Sequence, residues 1–584
     1  MRFINPFSKR NDRVLPGVVV PLDNAPAHSP SNPTPDVEPE KKSDETSLDR
    51  APTEENGFAA SLPEAGHLTI ESMRAETEAD LAASGVDSAY DRKSKVINRA
   101  VQDIGMGRYQ WQLFVLCGFG WLADNLWLQG VALTLPQLSM EFGVSESRVR
   151  FTTCALFLGL CLGASFWGIA SDVIGRRPAF NMTLFITGVF GLAAGGGPNW
   201  IGVCALFSSL GLGVGGNLPV DGALFLEFLP FASGNLLTLL SVWWPIGNLI
   251  SSLLAWAFIP NYTCKSDIPS CHQVGPGIEC CRKEDNMGWR YLVLTLGALT
   301  FVMFICRFFL FHLYESPKFL LSRGRQDEAV VAVQGIAYKN RSKTWLTTEI
   351  LNEVGGYPEE VPKQTLTSRE IITRYLSKFS LQRIRPLFAT KQLGITTGIL
   401  WFCWATIGMG YPLFNAFLPQ YIKRAGGATE QSTSTVYRNY AITSVVGVPG
   451  AFLACYTVNL KYVGRKGTMI AGTLVTGVLL FCFTASTDPD IQLLCTCLEA
   501  FFQNIMYGVL YAYTPEVFPA PYRGTGTGIA SCLNRIAGLC APLVAIYGSS
   551  ANPDAPIYAA GGLILAAFVA MCCLPIETRG KQSL

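Results

Sequence analysis

Charge is scarce in this chain. Asp, Glu, Lys and Arg supply 15% of its 584 residues, and 45 basic against 43 acidic side chains leave a net +2 at pH 7. Such a balance gives no broad basic surface, so no nucleic-acid partner is expected. Histidine is scarcer still: His28, His67, His272 and His312 lie far apart in the sequence. No nucleophile–base arrangement appears among them, which makes a membrane enzyme the weakest reading. No Gly-Lys-Ser/Thr string follows the glycines at Gly211, Gly213, Gly215 and Gly216, so nucleotide binding is rejected and no cofactor is expected. Within an apolar run those glycines instead let helices approach closely. The first hundred residues lack the apolar centre of a secretory signal. Pro, Ser, Glu, Asp and Lys dominate there, as in Ser29-Pro30-Ser31-Asn32-Pro33. That composition does not offset its ordering entropy, and 1–95 is expected to be a disordered cytoplasmic tail.

What the chain has is apolar length. Hydrophobic residues make up 49% of it, grouped into about twelve runs near the roughly twenty residues that cross a bilayer core. They fall at about 112–134, 150–170, 179–196, 200–225, 235–259 and 289–313, then 392–415, 436–458, 468–486, 491–513, 525–548 and 555–574. Any single run could be a buried helix of a soluble core; twelve in succession could not. The fold class is therefore an all-α membrane protein of twelve transmembrane helices in two six-helix halves, 96–313 and 391–574. A cytoplasmic middle loop (314–390) joins them and a short cytoplasmic tail (575–584) ends the chain. Before the first run, Val96, Ile97, Ala100, Val101 and Ile104 space an amphipathic helix, suited either to the membrane surface or to packing on the bundle. Gln326 to Asn340 predicts a helix in the middle loop, either bracing both halves or acting as a plain linker.

The halves repeat one another. Glu227-Phe-Leu-Pro230 before Gly234 answers Glu516-Val-Phe-Pro519 before Gly524; Gly175-Arg176-Arg177 answers Gly464-Arg465-Lys466. Glu315-Ser-Pro-Lys318 and Glu577-Thr-Arg-Gly580 close them. Duplicated bundles commonly move a solute through the seam between repeats. The basic loops place both termini in the cytoplasm by the positive-inside bias. The loop after the fifth run then lies outside, and it carries the glycosylation pattern Asn261-Tyr-Thr263 with Cys264, Cys271, Cys280 and Cys281. Sugar and disulfides both belong to that side. Four cysteines allow three pairings, and a zinc cluster is the competing reading; no metal site is assigned.

The string Gly168-Ile-Ala-Ser-Asp172-Val-Ile-Gly175-Arg176-Arg177 resembles the loop signature of the major facilitator superfamily. Tyr314-Glu315-Ser-Pro-Lys318 and Pro575-Ile-Glu577-Thr-Arg-Gly580 resemble the half-closing motifs of its sugar-porter branch. Gly120-Trp-Leu-Ala-Asp124, Gly215-Gly-Asn-Leu-Pro219 and Glu227-Phe-Leu-Pro230 are similar to fungal metabolite:proton symporters related to synaptic-vesicle transporter-like proteins. The resemblance spans about 100–580 and implies alternating access to a central site. It has gaps. Phe207 stands where that branch usually has Arg, Ser233 precedes Gly234 where Arg is usual, and Trp127 replaces a common acidic residue. The branch's proton relay is therefore not carried over whole, and the fifth run lacks the glycine–proline pattern of drug antiporters.

Ionisable groups inside the runs are the best functional candidates, each costing about 2.5–3.5 kcal/mol at mid-bilayer on insertion scales. Asp124, with Asn125 beside it, is either a proton carrier or a structural cap. Asp221 is a second proton-coupling candidate that gates the inner mouth against basic loop residues. The tenth run sets Glu499, Gln503 and Tyr507 four residues apart on one helix face, and the eleventh holds Asn534 and Arg535. Arg535 either pairs with Glu499 or binds an anionic group of the solute. Trp404 and Asn415 are candidate cavity residues of the seventh run. Asp172, Arg176, Arg177, Glu227, Glu315, Arg465, Glu516, Arg523 and Glu577 are expected to form a cytoplasmic gate. The expected function is secondary transport of a small sugar-like or organic-acid-like metabolite, with protons as the coupling ion. An uncoupled facilitator and a nutrient sensor with a transporter-like fold are the alternatives. The expected setting is the plasma membrane, or else an internal membrane, with the lipid bilayer as partner and the protein a monomer.

Overall fold

Helices account for almost all regular structure in the computed structural model. It describes residues 17–22, 69–84, 89–230, 235–265, 268–275, 279–357, 384–425, 432–458, 460, 463–486, 488–518, 523–548, 552 and 554–578. The first half is built from α1 (Arg108–Phe142), α2 (Phe151–Ile174), α3 (Arg176–Ala194), α4 (Trp200–Phe228), α5 (Trp243–Phe258) and α6 (Gly288–Ile305). The second comprises α7 (Lys391–Asn415), α8 (Thr433–Thr457), α9 (Gly464–Ala485), α10 (Pro489–Val517), α11 (Arg523–Gly548) and α12 (Ala555–Cys572). Nine helices among the described residues are long and apolar enough to cross a membrane.

Two spans differ from their sequence outlines. α1 runs for 35 residues, well past its apolar stretch, because its ends are held by protein rather than lipid. The fifth span is broken: Asn235–Leu240 is one short helix, and α5 begins only after the turn at Ser241-Val242. α6 ends in one wide turn, Cys306–Leu310, that carries Arg307.

Small residues decide the tightest packing. A Cβ on Gly211 would stand 2.5 Å from the Leu156 carbonyl oxygen, and one on Gly215 would stand 2.3 Å from that of Leu160. α4 therefore lies directly on α2, as expected of glycines in an apolar run. Across the seam α5 packs on α8, and α2 packs on α11.

Part of the segment expected to be a disordered tail is ordered. Helices cover Ile70–Ser84 and Ala89–Ile104. Val18 and Val20 exchange hydrogen bonds with Thr344: Thr344 N–H donates to Val18 O at 3.0 Å and Val20 N–H to Thr344 O at 3.1 Å. The physical reason is a local apolar surface, which buries Val18 and Met73. The remainder of 1–95 lies outside the described residues. The amphipathic helix packs on protein: Val96, Ile97, Ala100 and Val101 are buried against Val330, Val333 and Ile336 of the middle helix Gln326–Asn340. That helix docks on the first half. Its last residue, Asn340, accepts from Tyr109 N–H at 2.8 Å and donates to Gln110 Oε1 at 2.8 Å. The brace across both halves is corrected accordingly, since the helix's apolar face is filled by first-half partners.

Candidate functional site

α1, α4 and α5 face α7, α8, α10 and α11 around a cavity at mid-bundle, holding about 1260 Å³ of atom-free space that is partly continuous with solvent. Asp124, Asn125, Asn415, Gln503, Tyr507, Asn534 and Arg535 all line it. Two other candidates do not. Trp404 is buried behind the wall, donates from Nε1 to Thr514 Oγ1 at 2.9 Å and meets Tyr511 edge-on. Glu499 is also buried; it accepts from Gln503 Nε2 at 2.6 Å, so its place is behind the stripe rather than in it.

Asp124 presents two different oxygens. Oδ1 accepts from Asn217 Nδ2 at 3.3 Å, whereas buried Oδ2 has no hydrogen-bond partner. Asn217 comes from α4, the helix that the glycines bring close. Arg535 enters from the opposite half and, among the described residues, its guanidinium makes long bonds, to Leu160 O at 3.5 Å and Gly215 O at 3.3 Å. Of the two readings of Arg535, the ion pair with Glu499 is absent among the described residues; Gln503 and Asn415 hold Glu499 instead. Asn248 and Tyr440 join the lining, each with an unpartnered oxygen. Sequence reading missed both, although Asn248 stands out as an amide in an otherwise apolar stretch of α5.

The two ends of the cavity are flanked by different chemistry. Toward the arginine loops, Trp121 stacks on Trp244 at 4.7 Å, and Tyr511 meets Trp244 edge-on at 4.7 Å. Toward the disulfide end, Arg150 of the first half donates from Nε to Gln420 Oε1 at 2.8 Å and from Nη1 to Ala545 O at 2.7 Å. Tyr437 Oη of α8 donates to Leu133 O of α1 at 2.8 Å. Hydrogen bonds thus join the halves at that end.

Asp221 requires a correction. It is fully buried against Arg307, Nη2 to Oδ2 at 2.6 Å, and not against loop arginines. Arg307 also donates to Leu116 O and Phe180 O and lies 3.6 Å over the Phe180 ring. The sequence signal was available, since Arg307 is the lone cation near the end of the sixth run. A second buried pair joins Glu141 to Arg290 at 2.6 Å, with Trp289 Nε1 donating to the same carboxylate at 2.7 Å.

The loop motifs assemble within each half, in matching fashion. Arg176 lies 3.4 Å from Glu227, and Arg465 lies 2.6 Å from Glu516. Glu315 accepts from the Arg176 and Arg177 N–H groups at the start of α3; Glu577 does so from Arg465 and Lys466 at the start of α9. A carboxylate at a helix N-terminus satisfies its free donors and opposes its dipole. Burial pushes the Glu315 carboxyl up, against the lowering effect of those backbone donors. The side chains of Asp172 and Arg523 lie outside the described residues. At the disulfide end Cys264 pairs with Cys281, and Cys271 with Cys280. Asn261 is exposed there, its Nδ2 donating to Ala257 O at 2.8 Å.

Comparison with known proteins places this architecture. The family model described as Major Facilitator Superfamily matches residues 114–459 and 400–583. The chain is 43% identical over 514 residues to "MFS siderochrome iron transporter 1" of Ceriporiopsis subvermispora, covering 88% of this chain and 96% of that protein. It is 27% identical to the synaptic vesicle 2-related protein of Rattus norvegicus, covering 83% and 82%. Among solved structures, a partially occluded inward-open form of the Escherichia coli xylose transporter XylE superposes with a TM-score of 0.60 at 17% identity. It covers 81% of this chain and 99% of that one. The chain belongs to the major facilitator superfamily: it is a multi-pass membrane transporter with the twelve-helix fold, related to synaptic-vesicle-2-like proteins, and not an enzyme.

Proposed function

We propose that the protein is a proton-coupled secondary transporter of a small organic solute, bound in the seam cavity between Asp124 and Arg535. The observation that carries this reading is the half-satisfied Asp124 carboxylate, with one oxygen held by Asn217 and the other bare inside the cavity wall. A proton arriving on Oδ2 removes the charge without disturbing the Asn217 bond. Arg535 supplies the opposite charge from the other half and suits an anionic solute group. Tyr507, Asn415, Gln503, Asn534 and Asn125 complete the lining, so an organic acid with a ring or several hydroxyls fits its mixture of aromatic faces and amides. In this reading the disulfide end faces the outside of a plasma membrane and carries sugar on Asn261. Both termini are cytoplasmic, the arginine-loop pairs, each closed within its half, flank the inner gate, and the protein works as a monomer.

The test is uptake into proteoliposomes at two external pH values. The panel holds organic acids, sugars and a siderochrome, the last because the Ceriporiopsis relative bears that name. Flux driven by an inward proton gradient is the expected result, and Asp124→Asn abolishes its pH dependence. Absence of flux for the whole panel sinks the transporter reading. Flux indifferent to the gradient favours the second reading, a facilitator. One feature supports that alternative: Trp127, in a position often acidic among relatives, is buried and donates to Thr300 Oγ1 at 3.1 Å.

A further inference from the structure

Behind the cavity wall lies a chain of three side chains whose polarity is fixed from its hidden end. Glu499 of α10 accepts from Gln503 Nε2 at 2.6 Å. That contact turns Gln503 Oε1 away from the carboxylate, and Asn415 Nδ2 of α7 donates to it at 3.3 Å. Asn415 also hydrogen-bonds to Glu499 itself, and the same Nδ2 reaches the Tyr411 carbonyl at 3.5 Å. With both amino hydrogens of Asn415 directed into protein, its carbonyl oxygen is the group left for the cavity that Asn415 and Gln503 line. An amide alone has no such preference, because its two ends are nearly the same shape. An ionised carboxylate does, because it only accepts.

Glu499 is 2% exposed and forms no ion pair among the described residues. The titratable groups facing it are Tyr411 of α7, Tyr440 of α8 and Tyr507 of its own helix. These side chains are neutral at ordinary pH, so nothing cationic holds the carboxylate in its charged form. Both protonation states keep Gln503 bonded at each end. If a proton from water adds to the carboxylate, the new O–H donates to Gln503 Oε1 once that amide rotates by half a turn. Gln503 Nε2 then donates to Asn415 Oδ1, and Asn415 turns its N–H groups to the cavity. The Glu499–Gln503 and Gln503–Asn415 bonds are both kept, while the Asn415 contacts to Glu499 and to the Tyr411 carbonyl are given up.

We propose that Glu499 is a positioning residue whose protonation state sets the hydrogen-bond polarity that Asn415 shows to the solute. This rests on reading the cavity as the solute site. With Glu499 ionised, the wall accepts, and selects hydroxyl or amine donors. With Glu499 protonated, it donates, and selects carbonyl or carboxylate oxygens. Proton and solute are thereby coupled at a second place, in the second half, separate from Asp124.

The test is infrared difference spectroscopy on the full-length purified protein in lipid discs, titrated between about pH 5 and 9, from just above the ordinary glutamate range to well past neutrality. The probe is the proton itself, so the result does not depend on transport. Asp124→Asn is the background, which removes the carboxyl that lines the cavity. A carboxylic C=O band that grows as pH falls is expected, accompanied by a shift of side-chain amide bands. Glu499→Gln removes both signals, Gln503→Leu keeps the carboxyl band and loses the amide shift, and Glu499→Asp restores a titrating band. A titration unchanged by Glu499→Gln overturns the proposal, as does a carboxyl band with no amide response. Loss of uptake with these spectra intact counts against the transport reading alone.

Discussion

The two halves repeat a fold but differ in where, among the described residues, they bury paired charge. In the first half Asp221 meets Arg307 and Glu141 meets Arg290, both pairs almost without solvent exposure. In the second, among the described residues, the interior carboxylate Glu499 meets an amide, and Arg535 reaches out of its half to two carbonyl groups of the other. The two buried ion pairs are matched within the first half, whereas Asp124 of that half and Arg535 of the other stand at the seam. An alternating-access cycle must break contacts at the seam and keep those within each half. The long bonds of Arg535 suit the first demand, and the 2.6 Å pairs suit the second. The loop motifs at the arginine end show the same division, since Arg176–Glu227 and Arg465–Glu516 each close inside one half.

The comparison breaks most severely at Arg307. Arg307→Ala leaves Asp221 charged, buried and unpaired, a loss of about 3–5 kcal/mol for such pairs. A large drop in the thermal midpoint of the purified protein, or failure to express, is the expected outcome. Arg325→Ala in the exposed Arg325–Glu328 pair is the control and costs about 1 kcal/mol or less. Equal losses in the two variants would contradict the view of Arg307 as the first half's internal anchor.

Arg535 gives the next largest effect, with the opposite signature. Arg535→Gln removes a charge-assisted contact worth about 1.5–3 kcal/mol, so uptake of an anionic solute falls about ten- to a hundredfold. The thermal midpoint stays within a degree or two of wild type on that scale, because the lost bonds are long. Arg535→Lys recovers little, since an ammonium lacks the planar fork. A midpoint that falls along with uptake would move Arg535 from the solute to the scaffold.

Much of the architecture was legible because it depends on patterns that recur. Twelve apolar runs, paired loop strings and the spacing of Gln326 to Asn340 each have a period or a copy to check against. Seven of the cavity residues were legible for a related reason: a polar side chain in an apolar run is conspicuous. What escaped depends on partners distant in sequence. Nothing near Asp221 indicates that Arg307, 86 residues on, will meet it. Nor does the spacing of Glu499, Gln503 and Tyr507 tell which of them looks into the cavity and which stands behind it. The ordered part of the tail was misread because Val18 and Met73 are sparse apolar residues in a polar segment. Their burial depends on a surface, around Thr344 and the middle helices, that composition does not reveal.

That docked layer belongs to the first half, and it offers a finer test of the asymmetry. Lys339 of the middle helix donates to the His312 carbonyl at 2.9 Å, with its ammonium 4.7 Å from the Phe311 ring and 5.3 Å from that of Tyr109. Burial lowers its pKa to about 8 from the usual 10.5. Between those values the unfolded chain binds more protons than the folded one, so stability rises with pH across that window. Below it the folded lysine is charged, and the cost of burying that charge is felt in full. Lys339→Met should therefore flatten the rise in thermal midpoint between about pH 8 and 10.5 that wild type shows. Hydrogen exchange of the Gln326–Asn340 amides should slow with pH, relative to intrinsic rates, in wild type and not in the variant. A slope that persists in Lys339→Met would assign the effect elsewhere and leave the middle helix held by its apolar face alone.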